Sequence, residues 1–508
     1  MKFTGSLLLT LLITCSAMGA SYYVSPTGSA TNSGAITAPW SWAHAAANAP
    51  SGSVVYLRAG TYSGLTITAA NVTFRSYLYE RAKIDGTITA SGSGLTLQGL
   101  EIFNSNAVTR TNAAAILGPG LNLTGVGGKA INLIVHDVGA PGIWMPIGAT
   151  NSEVTGCVMW GIGLYQIDDG YSGSARGPIF YGQCNGANGD TRLIRDNIVS
   201  KSFTEGIKAY GESASAEGFT YQDNIAFWNA MDGYLLDTTS QAVTNFTMLG
   251  NVSYLNAYDR LGETEITRKS ALIAGNTFIG DSTPYRKALS VHGWTNVTMT
   301  NNIFVDVTTN SAGWPNAADT LVFAQLYTTN AVQSYTVNAN QFRGGTDTYG
   351  HWYTNGSVRL LWNEWKTLNN FDSSGSWSNT MPTANVVTVK ANPYEAGRAN
   401  IVVINWQGAT TASASLANIG LVEGQSYEVR DVQNWFGTPC VRGIYHAATP
   451  NVTLPLNLTE VTPIAGIVTH FVRNVNSHTP TLFNTFVVLP STEVVRVESV
   501  RATRIKKR

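Results

Sequence analysis

Only 12% of this 508-residue chain is Asp, Glu, Lys or Arg, yet Asp259, Arg260, Glu263, Glu265, Arg268 and Lys269 crowd into one short stretch. Such groups can carry proton-transfer chemistry: an amine or carboxylate takes a proton, a phenol or imidazolium returns one, and burial and neighbouring charge tune each for its part. Lys208, Tyr210, Asp237 and His292 offer the same repertoire before and after the cluster. Arg260 and Glu212 are candidates for holding a polar substrate. Trp144 and Trp294 could present flat rings for it to stack on.

These residues need a scaffold that brings them together, and a repeat supplies it. Asn197-Ile198, Asn224-Ile225, Asn251-Val252, Asn276-Thr277 and Asn302-Ile303 recur at spacings of 224−197 = 27, 251−224 = 27, 276−251 = 25 and 302−276 = 26. A period of this size marks a solenoid, in which each unit buries its apolar face only by stacking on the next. Strand-type alternation around each Asn, with Gly and Asn at the bends, makes it an all-β, parallel β-helix. Stacked Asn side chains would bond to one another along the axis, satisfying amides otherwise stranded inside. Alternation then sends Ile207, Ala209, Tyr234, Leu236, Leu289 and Val291 inward, and Lys208, Tyr210, Asp237, Ser290 and His292 outward. With rungs ~4.8 Å apart, the outward set forms one lateral patch.

Fifty glycines, low charge and zero net charge fit long stacks of strands with Ser, Thr, Asn and Gly outside. No basic patch interleaved with aromatics points to nucleic acid. Residues 1–20 read as a signal peptide: Lys2, an apolar run from Leu7 to Ile13 too short to span a membrane, then Ser16-Ala17-Met18-Gly19-Ala20. The expectation is a secreted or periplasmic monomer, with attachment at the cell surface as a variant and no membrane span. Cys157, Cys184 and Cys440 remain, an odd number better suited to buried free thiols than to a disulfide framework. The solenoid is assigned to residues 21–385. Alternating strands from Ala391 onward assign 386–490 to a β-sandwich, and Arg496, Arg501, Arg504, Lys506, Lys507 and Arg508 make 491–508 a basic tail.

Two resemblances bear on this reading. Tyr22-Tyr23-Val24, the Ala-rich segment near Trp42, Val54-Val55-Tyr56-Leu57 and Gly60-Thr61-Tyr62 resemble the opening of secreted right-handed parallel β-helix proteins of the pectin-lyase-like superfamily. That superfamily hosts lyases, hydrolases, epimerases and binders, so the resemblance implies fold more than activity. Gly262-Glu263-Thr264-Glu265-Ile266, Lys269-Ser270, Gly275-Asn276-Thr277-Phe278 and His292-Gly293 resemble the catalytic rungs of the alginate lyase and chondroitinase B family. This second resemblance implies that Glu263 and Glu265 hold a calcium ion and that Lys269 removes a proton. Val291 stands where that family carries an Arg.

The sequence-level reading is therefore a carbohydrate-active enzyme acting on a polysaccharide. Its most concrete form is β-elimination on a uronic-acid polymer, with Lys269 or Lys208 as base and Tyr210 or His292 as acid. A glycoside hydrolase built on Asp237 with Glu263 or Glu212, or a glycan-binding adhesion protein, are the alternatives.

Overall fold

The computed structural model describes residues 19–106, 118–139, 141–163, 180–183, 190–211, 215–238, 243–262, 268–281, 287–307, 323–327, 334–345, 352–354, 358–466 and 476–491. Short strands stack into three long sheets, parallel except where Trp352–Thr354 meets Val358–Leu360 antiparallel. The first runs from Ser21–Val24 to Ser334–Asn338, the second from Thr66–Ile67 to Val358–Leu360, and the third from Gly60–Ser63 to Ser376–Ser378. Each turn of chain visits the first, third and second sheets in that order, as in Arg192–Arg195, Ile198–Ser200 and Ile207–Tyr210, and then climbs one rung. This is a right-handed parallel β-helix, the hand that parallel crossovers favour.

The corner from first to third sheet takes two residues, and its chemistry explains the repeat. The leading residue is left-handed at Asp196, Asp223, Gly250, Gly275 and Asn301, with φ between 54° and 65°, a region that Gly, Asn and Asp tolerate best. The second is the ladder Asn. Each Nδ2 donates to the Oδ1 of the next at 2.9 to 3.0 Å from Asn197 through Asn224, Asn251, Asn276 and Asn302. The ladder continues through Asn340 to Asp372, with bonds of 2.9 and 2.8 Å. Each Oδ1 also accepts the main-chain N–H of the Asn below, as Asn251 does from Asn224 at 3.0 Å. At the other end the buried Cys157 takes the corner, its N–H donating to Asn197 Oδ1 at 3.0 Å.

Removing one member orphans its neighbour. Asn251→Ala should leave two buried donors of Asn224 without acceptors and lower stability by about 3 kcal/mol. Urea denaturation of the purified variant, followed by tryptophan fluorescence, measures this.

Trp42–Asn48 is the Ala-rich helix, capped by Ser41, and its Trp42 packs edge-on against Phe74. A second helix, Trp362–Asn369, brings Trp362 and Trp365 onto Trp352 near the far end.

From Val386 the pattern changes to antiparallel. Val386–Ala391, Ala399–Ile404, Phe483–Pro490, Ser426–Asp431 and Val441–Ile444 form one sheet in that order, and Thr411–Ser415 pairs with Asn451–Pro455. The larger sheet's inner strands Ala399–Ile404 and Phe483–Pro490 are buried on both faces. One packs Ala399, Ile401, Val403 and Phe486 against the two-stranded layer, completing a sandwich. The other packs Val402, Ile404, Phe483 and Val487 on Ile198, Phe227 and Tyr254 of the third sheet. The sandwich therefore braces the solenoid along its flank.

Polar groups are trapped at that junction. Asn400 Nδ2 donates to Asp196 O at 2.5 Å, and Lys390 pairs with Asp223 at 2.7 Å. Burial, reinforced by the nearby Asp223, pushes the Asp196 carboxyl up to about 7, against the pull of Arg195 and Lys390. A carboxyl raised this way contributes its full stability below its unfolded value near 3.8 and loses it as pH rises through about 7. Asp196→Asn keeps the shape and suits the left-handed corner. It should be neutral at pH 3.5, increasingly stabilising from pH 4 to 7, and constant above; paired thermal melts across that range test it.

Cys157 and Cys440 are free thiols, Cys157 buried and Cys440 partly so. Cys184, residues 1–18 of the proposed leader and 492–508 of the basic tail lie outside the described residues. No helix among the described residues is long and apolar enough to cross a membrane.

Candidate functional site

The sandwich covers the third sheet, so the second sheet is where the outward candidates can be reached. Its inward positions match the expected alternation: Ile207, Ala209, Tyr234, Leu236, Leu289 and Val291 are all buried in the solenoid core. The outward column follows from the register, with Asn122, Trp144, Tyr181, Lys208, Leu235, Arg260 and Ser290 in line on successive rungs. Beside it runs a second column in which Tyr210 faces Asp237. Trp144, Tyr181, Lys208, Tyr210, Arg260 and His292 are half-buried on this face.

Three carboxylates lie here, and each is tied to a cation. Lys208 Nζ meets Glu205 Oε1 at 2.9 Å and sits 5.1 Å from the centre of the Tyr210 ring. Arg260 forks onto Asp232, Nε to Oδ1 at 2.6 Å, while its guanidinium lies 5.5 Å from the Tyr258 ring. Arg268 pairs with Asp237, both side chains almost fully buried. Lys208 and Arg260 each keep 22% of their side-chain surface. Burial raises the Asp232 and Asp237 carboxyls even though Arg260 and Arg268 pull the other way. For Glu205 burial is outweighed by Lys208, and the carboxyl falls below its ordinary range.

Arg268 reaches this face because of a glycine. Gly262 occupies the rung between Asp237 and His292 with φ of 98°, and a Cβ there would lie 2.8 Å from Arg268 Cζ and 2.3 Å from His292 O. The missing side chain leaves room for the guanidinium, which also donates through Nη1 to His292 O at 3.1 Å. Asp259 has a different task. Fully buried, with its carboxyl held well above the usual range by burial, it accepts from Tyr234 N at 2.9 Å and braces the irregular register between Asp232 and Leu235.

Two expectations need correction. Lys269 is not on this face: Arg268 N bonds to Gly293 O, so the chain has already turned into the first sheet, where Lys269 is exposed opposite Thr244. Trp294 is fully buried, with Nε1 donating to Leu261 O at 2.8 Å, and its ring is closed to any ligand. Glu212, Glu263 and Glu265 lie outside the described residues, so the Ca²⁺ assignment rests on the resemblance alone.

The structure also brings forward residues that were not singled out. Glu205 and Asp232 are 232−205 = 27 apart, the ladder's own period, as are Tyr210 and Asp237 (237−210 = 27). Lys287 opens the strand Lys287–His292 opposite Tyr258. Burial and the positive charge of Arg260 lower its pKa, the direction that favours a neutral amine.

The sheet topology defines the class: a parallel β-helix with a flanking antiparallel sandwich. No family model matches the chain, and no curated protein matches it. Among solved structures it is similar to a pectate lyase at 14% identity, covering 72% of this chain and 87% of that one with a TM-score of 0.40. A rhamnogalacturonan lyase is 15% identical over 68% of this chain and 90% of its own, with a TM-score of 0.40. A surface adhesin of Streptococcus pneumoniae is 12% identical over 68% and 88%, with a TM-score of 0.41.

Proposed function

We propose that this protein is an exported, carbohydrate-active enzyme that performs β-elimination on a uronic-acid polysaccharide along the outer face of the second sheet. The observation that carries the reading is the register that aligns Trp144 and Tyr181 with Lys208 and Arg260. Half-buried rings suit the apolar faces of sugars, and a following run of cations suits their carboxylates.

Chemistry follows from the same residues. Arg260 neutralises the substrate carboxylate and so acidifies the adjacent C5–H. Lys287, held half-buried beside Arg260, takes that proton as a neutral amine. The electrons of the C5–H bond form the C4–C5 double bond as the C4–O4 bond breaks, and Tyr210 or His292 gives the departing oxygen a proton. If Glu263 and Glu265 bind calcium, it would add positive charge at the substrate carboxylate; the scheme uses no step through it. A glycosidase would instead draw on Asp237 with Glu263 or Glu212 as its carboxyl pair; among the described residues of this face Glu205, Asp232 and Asp237 are each engaged with a cation.

The test is product chemistry. The purified mature chain, incubated with alginate, polygalacturonate, chondroitin and neutral glucans, should raise ultraviolet absorbance from unsaturated uronate in step with new reducing ends on an acidic polymer. Reducing ends without unsaturation would replace the reading with hydrolysis. Retention of a polymer with neither product would replace it with binding alone.

A further inference from the structure

One histidine fastens the sandwich to the third sheet from between two carboxylates. His136 ends the strand Ile134–His136 and is 7% exposed. Its ring stacks between Phe103 at 5.7 Å and Trp160 at 4.8 Å on the rungs to either side, and Phe436 of the sandwich meets it edge-on at 5.1 Å. Nδ1 lies 2.8 Å from Asp137 Oδ2, and Nε2 lies 3.3 Å from Glu101 Oε1.

Each of these carboxylates also reaches the sandwich. Asp137 Oδ1 accepts the main-chain N–H of Ala465 at 2.8 Å. Glu101 accepts a fork from Arg81, whose guanidinium lies 4.1 Å over the Phe436 ring. Further out, Arg430, paired with Glu428, braces the Phe436 loop by donating to Trp435 O at 2.9 Å and Gly437 O at 3.1 Å, and Glu460 accepts from Asn434 at 3.1 Å. The neighbouring strand Val158–Trp160 brings no charged side chain to the ring.

Two ionised carboxylates can only accept, and a neutral imidazole has one N–H, so only the imidazolium serves both. Once neutral, the ring turns a lone pair on Asp137 or on Glu101, and the tie from that carboxylate to the sandwich slackens. Burial works to lower the His136 pKa, but its bonds to Asp137 and Glu101 outweigh this and raise it above the ordinary 6.5. A group raised in this way lends its full stability below 6.5 and loses it as pH rises through the higher folded value. Arg81, Glu101 and Phe436 also line a cleft of about 760 Å³, which gives them room to part.

We propose that His136 is a pH-sensitive latch: as an imidazolium it closes the Phe436 loop and residues 464–466 onto the third sheet, and on losing its proton it lets this edge of the sandwich open. The device is independent of the chemistry on the second sheet. Two other buried groups at the junction titrate nearby. Asp196, raised to about 7, favours closure in the same direction as His136. Lys201, with Nζ donating to Ser477 O at 3.1 Å, is brought down by burial to about 8 and so favours closure in the opposite direction, as pH rises.

The experiment is hydrogen–deuterium exchange of the full mature protein at pH 6 and pH 9, corrected for the intrinsic rate and read by mass spectrometry. Exchange in residues 434–438 and 462–466 should rise about tenfold at pH 9, the loss of one charge-assisted contact. Thr411–Ser415 and Asn451–Pro455, on the far layer of the sandwich, should not change. His136→Gln, which gains no proton, should abolish the step. Asp137→Asn suits the left-handed backbone there, with φ of 51°, keeps an oxygen for Ala465 and offers an amide donor to a neutral ring. It should therefore hold the loop closed at both pH values, and it decides the matter even where His136→Gln fails to fold. A wild type without the step, or a folded variant of either kind that keeps it in full, overturns the latch and leaves Asp196 in control. A step of the opposite sign overturns it in favour of Lys201.

Discussion

A Lys287→Ala protein should be folded but lose uronate elimination by 10²- to 10⁴-fold in kcat, the usual contribution of a positioned general base. Two controls give this weight. Lys269→Ala should retain activity, because Lys269 faces solvent on the first sheet. Arg260→Ala should shift the rising limb of the pH–rate profile to higher pH. Arg260 lowers the Lys287 pKa, and its removal withdraws a like charge and frees the Asp232 carboxylate, both of which favour the ammonium form. Full activity in Lys287→Ala, with loss in Lys208→Ala, would move the base to Lys208.

Arg268→Met should cost about 3–5 kcal/mol, since it leaves the Asp237 carboxylate buried without its cation. The loss should shrink at acid pH, because a carboxyl already raised by burial takes up a proton once the guanidinium is gone, and neutral Asp237 is cheaper to bury. Asp237→Leu combined with Arg268→Met should recover most of the stability, as apolar replacements of buried ion pairs often do. Thermal melts of the wild type, both single variants and the double variant at pH 5 and 8 give the coupling directly. Additive losses would show that the two side chains do not depend on each other.

How far the sequence spoke depended on whether a residue obeyed the repeat. Asn197 to Asn302 were legible because stacking in a dry interior demands an amide at one corner, and because the two-residue turn beside it admits few residue types. Asn340 and Asp372 belong to the same ladder, yet they come 340−302 = 38 and 372−340 = 32 residues on, and the longer connections hide them. Lys208, Tyr210 and Asp237 followed from alternation. Lys269 did not, because counting along the chain cannot say where the short segment after Gly262 ends and the next sheet begins. Trp294 lies just past the last outward position, where one residue separates a surface ring from a buried one. Lys287 stood out to neither motif nor spacing; its significance comes from Arg260, a residue brought beside it only by folding.

The asparagine ladder has a direction. Every side chain donates its amide toward the C-terminal end and accepts from the N-terminal side, until Asp372, which as a carboxylate can only accept, closes the series with Trp365 Nε1 on its second oxygen at 2.9 Å. Each rung thus presents the same socket below and the same plug above. Removing residues 225–251, one whole period, would still leave Asn224 to meet Asn276, whereas removing half a period would not. Solenoid length can therefore be gained or lost in whole turns with the interior chemistry intact, and the groove along the second sheet would lengthen or shorten in the same steps.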